Sequence, residues 1–271
     1  MYRIGWFSTG RDEAARDLLK AAVEAITSGE IKASIEFVFC SREPGESPES
    51  DFFIQQVKGY RLPLVTFSYQ KFKAKTPSDT PPSGSFPSWR LAYDREVMQR
   101  LKEYNPPLCV LAGYMLIVGP EMCTHYTMIN LHPALPTGPT GTWQEVIWQL
   151  IEQKASETGV MMHLVTPELD RGPVASYCRF SIRGKGFDSL WKQTLGKSVS
   201  DIKKSEGERN ALFNFIREEG LKREFPLIIA TIKAFSEGHV RVSAGKVLDA
   251  HGKIILGYDL TLEIDRLVSK A

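Results

Sequence analysis

The sequence predicts an α/β protein built on an open, mostly parallel β-sheet with helices on both faces and a small C-terminal β-hairpin. Short apolar runs alternate with longer amphipathic segments over about the first 170 residues, which is typical of a parallel sheet covered by helices. The chain has 271 residues, 42% of them hydrophobic, so it can bury a large core. In the tail, two strand-like runs flank a cluster of turn residues.

The first half of the chain carries most of the predicted parallel sheet. Amphipathic spacing predicts a helix from about Asp12 and another over residues 89–104, which Asn105-Pro-Pro107 ends. Apolar stretches predict five strands, at residues 4–7, 35–39, 62–67, 108–112 and 128–131. Residues 69–87 are rich in Lys, Thr, Ser, Pro and Gly, and we expect them to form an inserted surface loop.

The second half predicts a helix over 142–152, a strand hairpin and a long helix. The two strands of this hairpin lie at residues 160–166 and 174–180, and the long helix covers about 208–235 with a potential break at Gly220. Residues 183–209 have weak periodicity and are predicted as a second insertion of uncertain order. Strands at 240–248 and 254–260, separated by Asp249-Ala-His-Gly252, form the predicted C-terminal hairpin. We expect one α/β domain over 1–238, with 239–271 packed on it as a hairpin extension.

Composition and charge favour a cytoplasmic protein that binds neither nucleic acid nor a membrane. The formal net charge is only +2. The longest apolar run, residues 108–118, is too short to span a bilayer, and the N-terminus lacks the pattern of a signal peptide. Four cysteines without Cys-x-x-Cys or Cys/His spacing predict free thiols and no metal site. The sequence is compatible with a monomer or a homodimer.

Two segments place polar side chains at predicted strand ends, where open α/β sheets bind ligands. Asn130 and His132 lie two residues apart at one strand end, and Asp170 follows another strand in a turn that ends at Gly172. An amide, an imidazole and a carboxylate form a coherent set for acyl transfer. The first two can donate hydrogen bonds to a developing oxyanion, while the carboxylate orients the imidazole and assists proton movement.

Each of these residues also has a purely structural interpretation. A histidine at a strand end is more often part of the packing than of a catalytic site, and an aspartate in a turn commonly caps local backbone. Spacing alone therefore suggests a site around Asn130, His132 and Asp170 without identifying it.

Five segments, in the same order along the chain, resemble the folate-dependent formyltransferases, in particular those that act on phosphoribosylglycinamide. The Asn-x-His-Pro motif combined with the Leu-Asp-x-Gly turn is the most specific part of the likeness. The resemblance covers about three quarters of the chain. The segments are Tyr93-Asp-Arg-Glu96, residues 111–120, Asn130-Leu-His-Pro-Ala-Leu135, residues 159–174, and Phe225-Pro-Leu-Ile228 with Glu237-Gly238.

The resemblance implies a formyltransferase-type, Rossmann-like sheet, catalysis by Asn130, His132 and Asp170, and 10-formyltetrahydrofolate as co-substrate without a metal. It also implies two segments that bind the folate, although packing against the sheet is the alternative role for Met115 to Val118. His163 matches a family position as well and is expected in the core or behind the catalytic residues. The implied folate-binding residues are Tyr114, Met115, Leu116, Ile117, Val118, Val165, Thr166, Glu168 and Leu169.

The acceptor side departs from the family pattern. Relatives that formylate glycinamide ribonucleotide carry a Gly-Ser-Asn phosphate loop after the first strand, whereas this chain has Ser8, Thr9, Gly10 and Arg11 there. Asp12 and Glu13 would repel a phosphate, while Arg11 offers a different anchor. An acidic position that holds the ribose in the family is replaced near Leu221.

We therefore expect formyl transfer from 10-formyltetrahydrofolate to a small amine acceptor, either glycinamide ribonucleotide or another phosphorylated or amino compound. The alternatives are a 10-formyltetrahydrofolate hydrolase, a transferase acting on methionyl-tRNA or a sugar nucleotide, and a non-catalytic folate-binding protein. Five lysines of the second insertion could meet an anionic acceptor, although a solvated loop is the simpler interpretation. They are Lys185, Lys192, Lys197, Lys203 and Lys204.

Overall fold

The structure is a computed structural model that describes residues 1–76, 86–184 and 186–270. The chain forms two compact units, and each of them is discontinuous in sequence. The first unit comprises Met1–Asn130 and Leu164–Gly172, and the second comprises Leu131–His163 and Pro173–Ala271. The fold is a mostly parallel, open α/β sheet with helices on both sides and a C-terminal antiparallel hairpin, which confirms the predicted fold class.

In its described residues, the first unit contains five parallel strands in the order β3-β2-β1-β4-β5. The strands are β1 (Tyr2–Ser8), β2 (Ala33–Cys40), β3 (Leu64–Thr66), β4 (Leu108–Leu111) and β5 (Met128–His132), whose last two residues belong to the second unit. The helices are α1 (Glu13–Thr27), α2 (Pro48–Gly59), α3 (Tyr69–Lys75), α4 (Ser88–Arg100) and α5 (Pro120–His125).

Aromatic side chains fill much of the core of the first unit. Phe7 on β1 lies 5.5 Å from Phe37 and 5.4 Å from Phe39 on β2, ring centroid to ring centroid. All three rings are fully buried, and β4 is buried at every position. Burial of such large apolar surfaces is the main term that stabilises the sheet, and it fixes the carboxyl ends of β1, β2 and β4 from which the candidate loops start.

The second unit contains β6 (Glu157–Leu164), whose last residue lies in the first unit, paired antiparallel with β7 (Val174–Ser181) as predicted. On the other side of β7, the short strand β10 (Tyr258–Asp259) pairs in parallel, and β8 (Val240–Ser243) and β9 (Lys246–Asp249) form a separate hairpin. The helices are α6 (Trp143–Glu152), α7 (Phe187–Gln193), α8 (Val199–Ser205), α9 (Ala211–Ser236) and α10 (Thr261–Val268).

The C-terminal hairpin turns earlier than predicted. The turn lies at Ala244 and Gly245, whose φ values of 49° and 70° are both left-handed, as tight two-residue hairpin turns require. The predicted turn at 249–252 is also formed, because the Asp249 carboxylate accepts hydrogen bonds from the amides of His251 and Lys253. It leads into an isolated bridge between Leu248 and Ile254 rather than a full strand.

Both predicted insertions contain helices. The first includes α3, and its residues 77–85 lie outside the described part of the chain. The second folds into α7, α8 and a 3₁₀ turn at Gly207–Arg209, with Phe187, Trp191 and Ile202 buried against α6 and α9. Helix α9 runs without a break through Gly220 and Pro226. Of the insertion lysines, Lys185 lies outside the described residues, Lys197 pairs with Glu206, and Lys203 lies over the ring of Trp148.

Within the described residues, none of the helices combines the length and apolar character needed to cross a lipid bilayer. The division into a domain over 1–238 and an extension over 239–271, and the cytoplasmic location, stay predictions.

Candidate active site

Strand β5 carries two of the three predicted catalytic residues. Asn130 is half-buried in the first unit, in register with Leu111 of β4. His132 lies two residues further along the same strand, in the second unit, and is 2% exposed. The parallel pairing of β4 with β5 therefore places Asn130 at the carboxyl end of its strand, as the sequence predicted.

The imidazole of His132 is held by the loop that follows it. Its Nε2 lies 2.9 Å from the carbonyl oxygen of Pro139. Because a carbonyl oxygen can only accept, this ring nitrogen carries the proton and donates it. The ring of His163, also buried, lies 6.3 Å away in an edge-to-face arrangement. This contact therefore identifies Nε2 as the protonated nitrogen of the His132 ring.

The third predicted catalytic residue, Asp170, lies in a tight turn of the first unit. Its φ is 54°, a left-handed conformation that Asp and Asn adopt more readily than most residues. Within the turn, the Thr166 hydroxyl donates to the Glu168 carbonyl oxygen at 3.0 Å. Gly172 ends the turn so close to β6 that a Cβ there would lie 1.8 Å from the Leu164 carbonyl oxygen. Only glycine therefore fits at position 172 without a backbone shift.

The candidate folate-binding residues all belong to the first unit and include several exposed apolar side chains. Met115 is 51% exposed, Ile117 49% and Leu169 56%, whereas Tyr114 and Val118 are buried. Leu116 and Val165 both pack against one core cluster, and the Val165 amide donates to the Met128 carbonyl oxygen at 2.9 Å. Large apolar side chains that remain exposed are candidates for covering a ligand.

The loop after β4 is tied to the loop after β1 through Thr9. The Thr9 amide donates to the carbonyl oxygen of Gly113 at 3.0 Å, and the Thr9 hydroxyl accepts from the Met115 amide at 2.9 Å. The same hydroxyl lies 3.0 Å from the hydroxyl of Ser41 at the end of β2. These contacts join the carboxyl ends of three neighbouring strands into one hydrogen-bonded cluster.

The candidate acceptor residues Ser8, Thr9 and Gly10 are buried, and only Arg11 is exposed. The Ser8 hydroxyl accepts from the Gly10 amide at 3.1 Å, so both hydroxyls in this loop are used within the protein. Arg11 pairs with Asp12 at 3.2 Å. Asp12 itself caps α1, where its carboxylate accepts from the Ala15 amide at 3.1 Å. A negative charge of the protein thus already occupies the N-terminus of α1.

In the described part of the chain, no group of three or more His, Cys, Asp or Glu side chains is arranged to hold a metal ion. Two features of the site were not predicted from sequence. The Pro139 contact is made by a backbone carbonyl, which has no sequence signature, and the role of Thr9 depends on the approach of a segment more than 100 positions away.

Comparisons of the sequence and of the structure with known proteins agree on one family. The formyl transferase family model matches residues 14–185. Phosphoribosylglycinamide formyltransferase of Escherichia coli (strain K12) is 30% identical over 158 residues, which make up 58% of this chain and 64% of that protein, so the chain spans less than two thirds of this relative. Formyltetrahydrofolate deformylase of Haemophilus influenzae is 29% identical over 87 residues, 31% of each chain.

The structure of phosphoribosylglycinamide formyltransferase from Coxiella burnetii aligns with a TM-score of 0.65 over 95% of this chain and 98% of that chain, at 20% identity. At this identity the likeness establishes the fold alone. The family model, in contrast, covers more than half of the sequence and includes Asn130, His132 and Asp170. The predicted resemblance is confirmed, and the chain belongs to the formyl transferase family.

Proposed function

We propose that the protein transfers the formyl group of 10-formyltetrahydrofolate to an amine acceptor, with Asn130, His132 and Asp170 as catalytic residues. The observation that carries the proposal is the family match over 14–185, which contains both the Asn-x-His-Pro motif and the Leu-Asp-x-Gly turn. The donor form of His132 Nε2, set by the Pro139 carbonyl, supports the role given to this residue.

In the proposed mechanism, the acceptor nitrogen bonds to the formyl carbon, and the carbonyl oxygen becomes an oxyanion. The Asn130 amide and the His132 imidazolium donate hydrogen bonds to that oxygen. Collapse of the intermediate restores the carbonyl and breaks the bond to N10 of the folate. The proton lost by the acceptor nitrogen reaches N10 with the help of His132 and Asp170, and tetrahydrofolate leaves.

The folate would lie against the segment from Tyr114 to Val118 and the segment from Val165 to Leu169. A flat heterocycle requires apolar surface together with exposed backbone groups that bind its edge. The half-exposed side chains of Met115, Ile117 and Leu169 supply such apolar surface in the first unit. This supports 10-formyltetrahydrofolate as the co-substrate.

The proposed acceptor is an amine, and the loop after β1 indicates where a phosphate group on that acceptor could bind. The name of the Escherichia coli relative points to phosphoribosylglycinamide, whose phosphate would suit a helix N-terminus. In this chain the Asp12 carboxylate takes that position on α1. We infer that an acceptor phosphate, if one is bound, is held elsewhere, with the exposed guanidinium of Arg11 as one contact.

Hydrolysis of 10-formyltetrahydrofolate is the second candidate function. The similarity to formyltetrahydrofolate deformylase over 87 residues favours it. The same three residues could serve both reactions, because water would simply replace the amine as the nucleophile.

Absorbance measurements of tetrahydrofolate release test the proposal and separate the two functions. The assay is run with 10-formyltetrahydrofolate alone, with glycinamide ribonucleotide, and with a panel of other amines. We expect turnover that requires an amine and falls by about 10²- to 10⁴-fold in His132→Ala. The exposed His251 of the second unit provides a control, since His251→Ala should leave turnover unchanged.

Turnover with water alone would show that the protein is a hydrolase and not a transferase. Full activity of His132→Ala would remove that residue from the mechanism. Binding of the folate without turnover under any condition would leave a non-catalytic folate-binding protein.

A further inference from the structure

We propose that the buried ion pair between Arg90 and Asp94 on α4 is a positioning device that holds the Gly119 end of the Tyr114–Gly119 loop, and thereby sets the affinity for the folate. The inference rests on the proposed function, because this loop contains the candidate folate-binding residues Tyr114 to Val118. Neither Arg90 nor Asp94 is itself proposed to touch the ligand.

The pair is buried to a degree that is rare for charged side chains. Arg90 is 4% exposed and Asp94 1%, and their side chains meet at 2.7 Å one helical turn apart. Removing two charges from water is costly, and a surface pair of the same spacing would contribute little to stability. A pair buried so deeply therefore calls for contacts beyond the helix that carries it.

One such contact fixes the far end of the loop. The Gly119 amide donates to Oδ2 of Asp94 at 2.7 Å, so the carboxylate bridges α4 and the residue that precedes α5. The approach is close enough that a Cβ on Gly119 would lie 2.9 Å from Oδ2 and 2.9 Å from Leu91. Glycine at 119 is thus required by the contact, although its backbone conformation is an ordinary extended one.

The near end of the loop is held by the core of the first unit through Tyr114, independently of the ion pair. Its ring lies edge-to-face on Phe7 at 5.8 Å and is buried. Burial raises the pKa of the Tyr114 hydroxyl. Arg90 lies over the ring of Tyr93, whose hydroxyl donates to the Phe67 carbonyl oxygen at 2.6 Å.

The ends of the loop are therefore fixed while its centre faces solvent. Met115 and Ile117 are about half exposed, between a buried Tyr114 and a buried Val118. A loop that is already held in its binding conformation loses little conformational freedom when a ligand arrives, and this preorganisation raises affinity without new contacts. Burial raises the pKa of Asp94, while Arg90 and the Gly119 amide oppose that shift and favour the carboxylate.

Two variants release the loop in different ways. Asp94→Asn removes the charge that Arg90 requires, and Gly119→Ala forces the amide away from Asp94. We expect each to raise the Kd of 10-formyltetrahydrofolate, measured by calorimetry, at least tenfold. The KM for the folate should rise by a similar factor, while kcat at saturating folate changes less than threefold, because the catalytic residues are elsewhere.

Matched controls separate positioning from general stability. Glu219→Gln makes the same acid-to-amide change in another pair four residues apart, between Glu219 and Arg223 on α9, where the side chains meet at 3.0 Å. Gly59→Ala makes the same addition of a methyl group at a position with open space around it. Both controls should keep the Kd within twofold of the wild type, even if Glu219→Gln lowers the melting temperature.

An unchanged Kd in folded Asp94→Asn and Gly119→Ala, or an equal rise of the Kd in the controls, would overturn the inference and leave the proposed function standing. If Asp94→Asn does not fold, Gly119→Ala alone decides, because it keeps both charges. Failure of the wild type to bind 10-formyltetrahydrofolate would instead overturn the proposed function, and the inference with it.

Discussion

Asp170 combines a left-handed backbone with a proposed role in proton transfer. At a φ of 54°, most side chains strain the backbone, whereas Asn adopts this region about as readily as Asp. Asp170→Asn therefore removes the charge and keeps a residue that tolerates this φ, which allows the chemical role of Asp170 to be separated from its backbone role.

We predict that Asp170→Asn lowers turnover of 10-formyltetrahydrofolate at least 10²-fold, because the amide cannot accept a proton as a carboxylate can. The melting temperature should fall less in Asp170→Asn than in Asp170→Ala, since Asn tolerates the same φ and Ala does not. Absorbance kinetics and thermal unfolding check the two parts. A variant that keeps its activity would make Asp170 a turn residue only, and Asp170→Gly controls for the backbone requirement.

Among the elements, α6 begins with a complete capping box directly after the loop that contacts His132. The Glu145 amide donates to the Thr142 hydroxyl at 3.3 Å, and the Glu145 carboxylate accepts from the Thr142 amide at 2.7 Å and from its hydroxyl at 3.0 Å. These bonds lower the pKa of Glu145. The helix start, and with it the end of the loop from Pro133, depends on this reciprocal pair.

We predict that Thr142→Ala lowers the free energy of unfolding by about 1 kcal/mol at pH 7, as loss of an N-cap side chain usually does. Because the Glu145 pKa is lower in the folded state, its stabilisation is fully present above the unfolded value of 4.5 and is lost as the pH falls through the lowered pKa. The alanine variant keeps the backbone amide of residue 142, so only the part of the difference that comes from the bond between the Thr142 hydroxyl and the Glu145 carboxylate should shrink over that acidic range. Urea unfolding at several pH values measures this.

The exposed Thr140, two residues earlier, is the control, since Thr140→Ala removes a similar side chain that caps no helix. An equal loss of stability in both variants would show that the capping box does not determine the start of α6.

The elements also show how far sequence patterns reach. Buried strands such as β1, β4 and β5 were predictable because runs of apolar residues have few other places to go. Helix α2 was missed, although Pro48 follows Ser47 at its start as in many helices, and α7 and α8 were missed because their apolar residues, such as Trp191 and Ile202, are spaced among lysines and serines. The hairpin turn was misplaced because Asp249 to Gly252 carries a stronger turn signal than Ala244 and Gly245.

The candidate site also contains residues that could be predicted from the sequence and residues that could not. Asn130, His132 and Asp170 could be located at strand ends from spacing, yet only the family resemblance gave them roles. Arg90 and Asp94 are spaced like an ordinary surface pair on a helix, and nothing local indicates that both are buried. Whether a charged side chain is buried depends on tertiary packing, and tertiary packing leaves no local pattern in a single sequence.

Over the whole molecule, all four cysteines are free, as predicted, and Cys40, Cys109 and Cys178 are buried. Burial raises the pKa of Cys40 to about 11, of Cys123 to about 11 and of Cys178 to about 12, and it also raises the pKa of Cys109. Because the thiolate is the reactive form, these thiols should be chemically inert in the folded protein.

We predict that a thiol reagent at pH 8 reacts slowly with the native protein and rapidly with four thiols after denaturation in guanidinium chloride. At a pKa of about 11, only about one thiol in a thousand is ionised at this pH. The half-buried Cys123 should react first, so Cys123→Ser should remove the earliest phase. Two or more fast thiols in the native protein would contradict the burial described above.

The discontinuity of the two units determines what a shortened chain could do. A fragment ending at residue 130 would retain β1 to β4 and most of β5, yet it would lack Leu164–Gly172, which completes the first unit. Such a truncated product would lose Asp170 and the segment from Val165 to Leu169 together. A premature stop anywhere before residue 172 therefore yields an incomplete first unit, whereas circular permutation, which keeps every residue, would not.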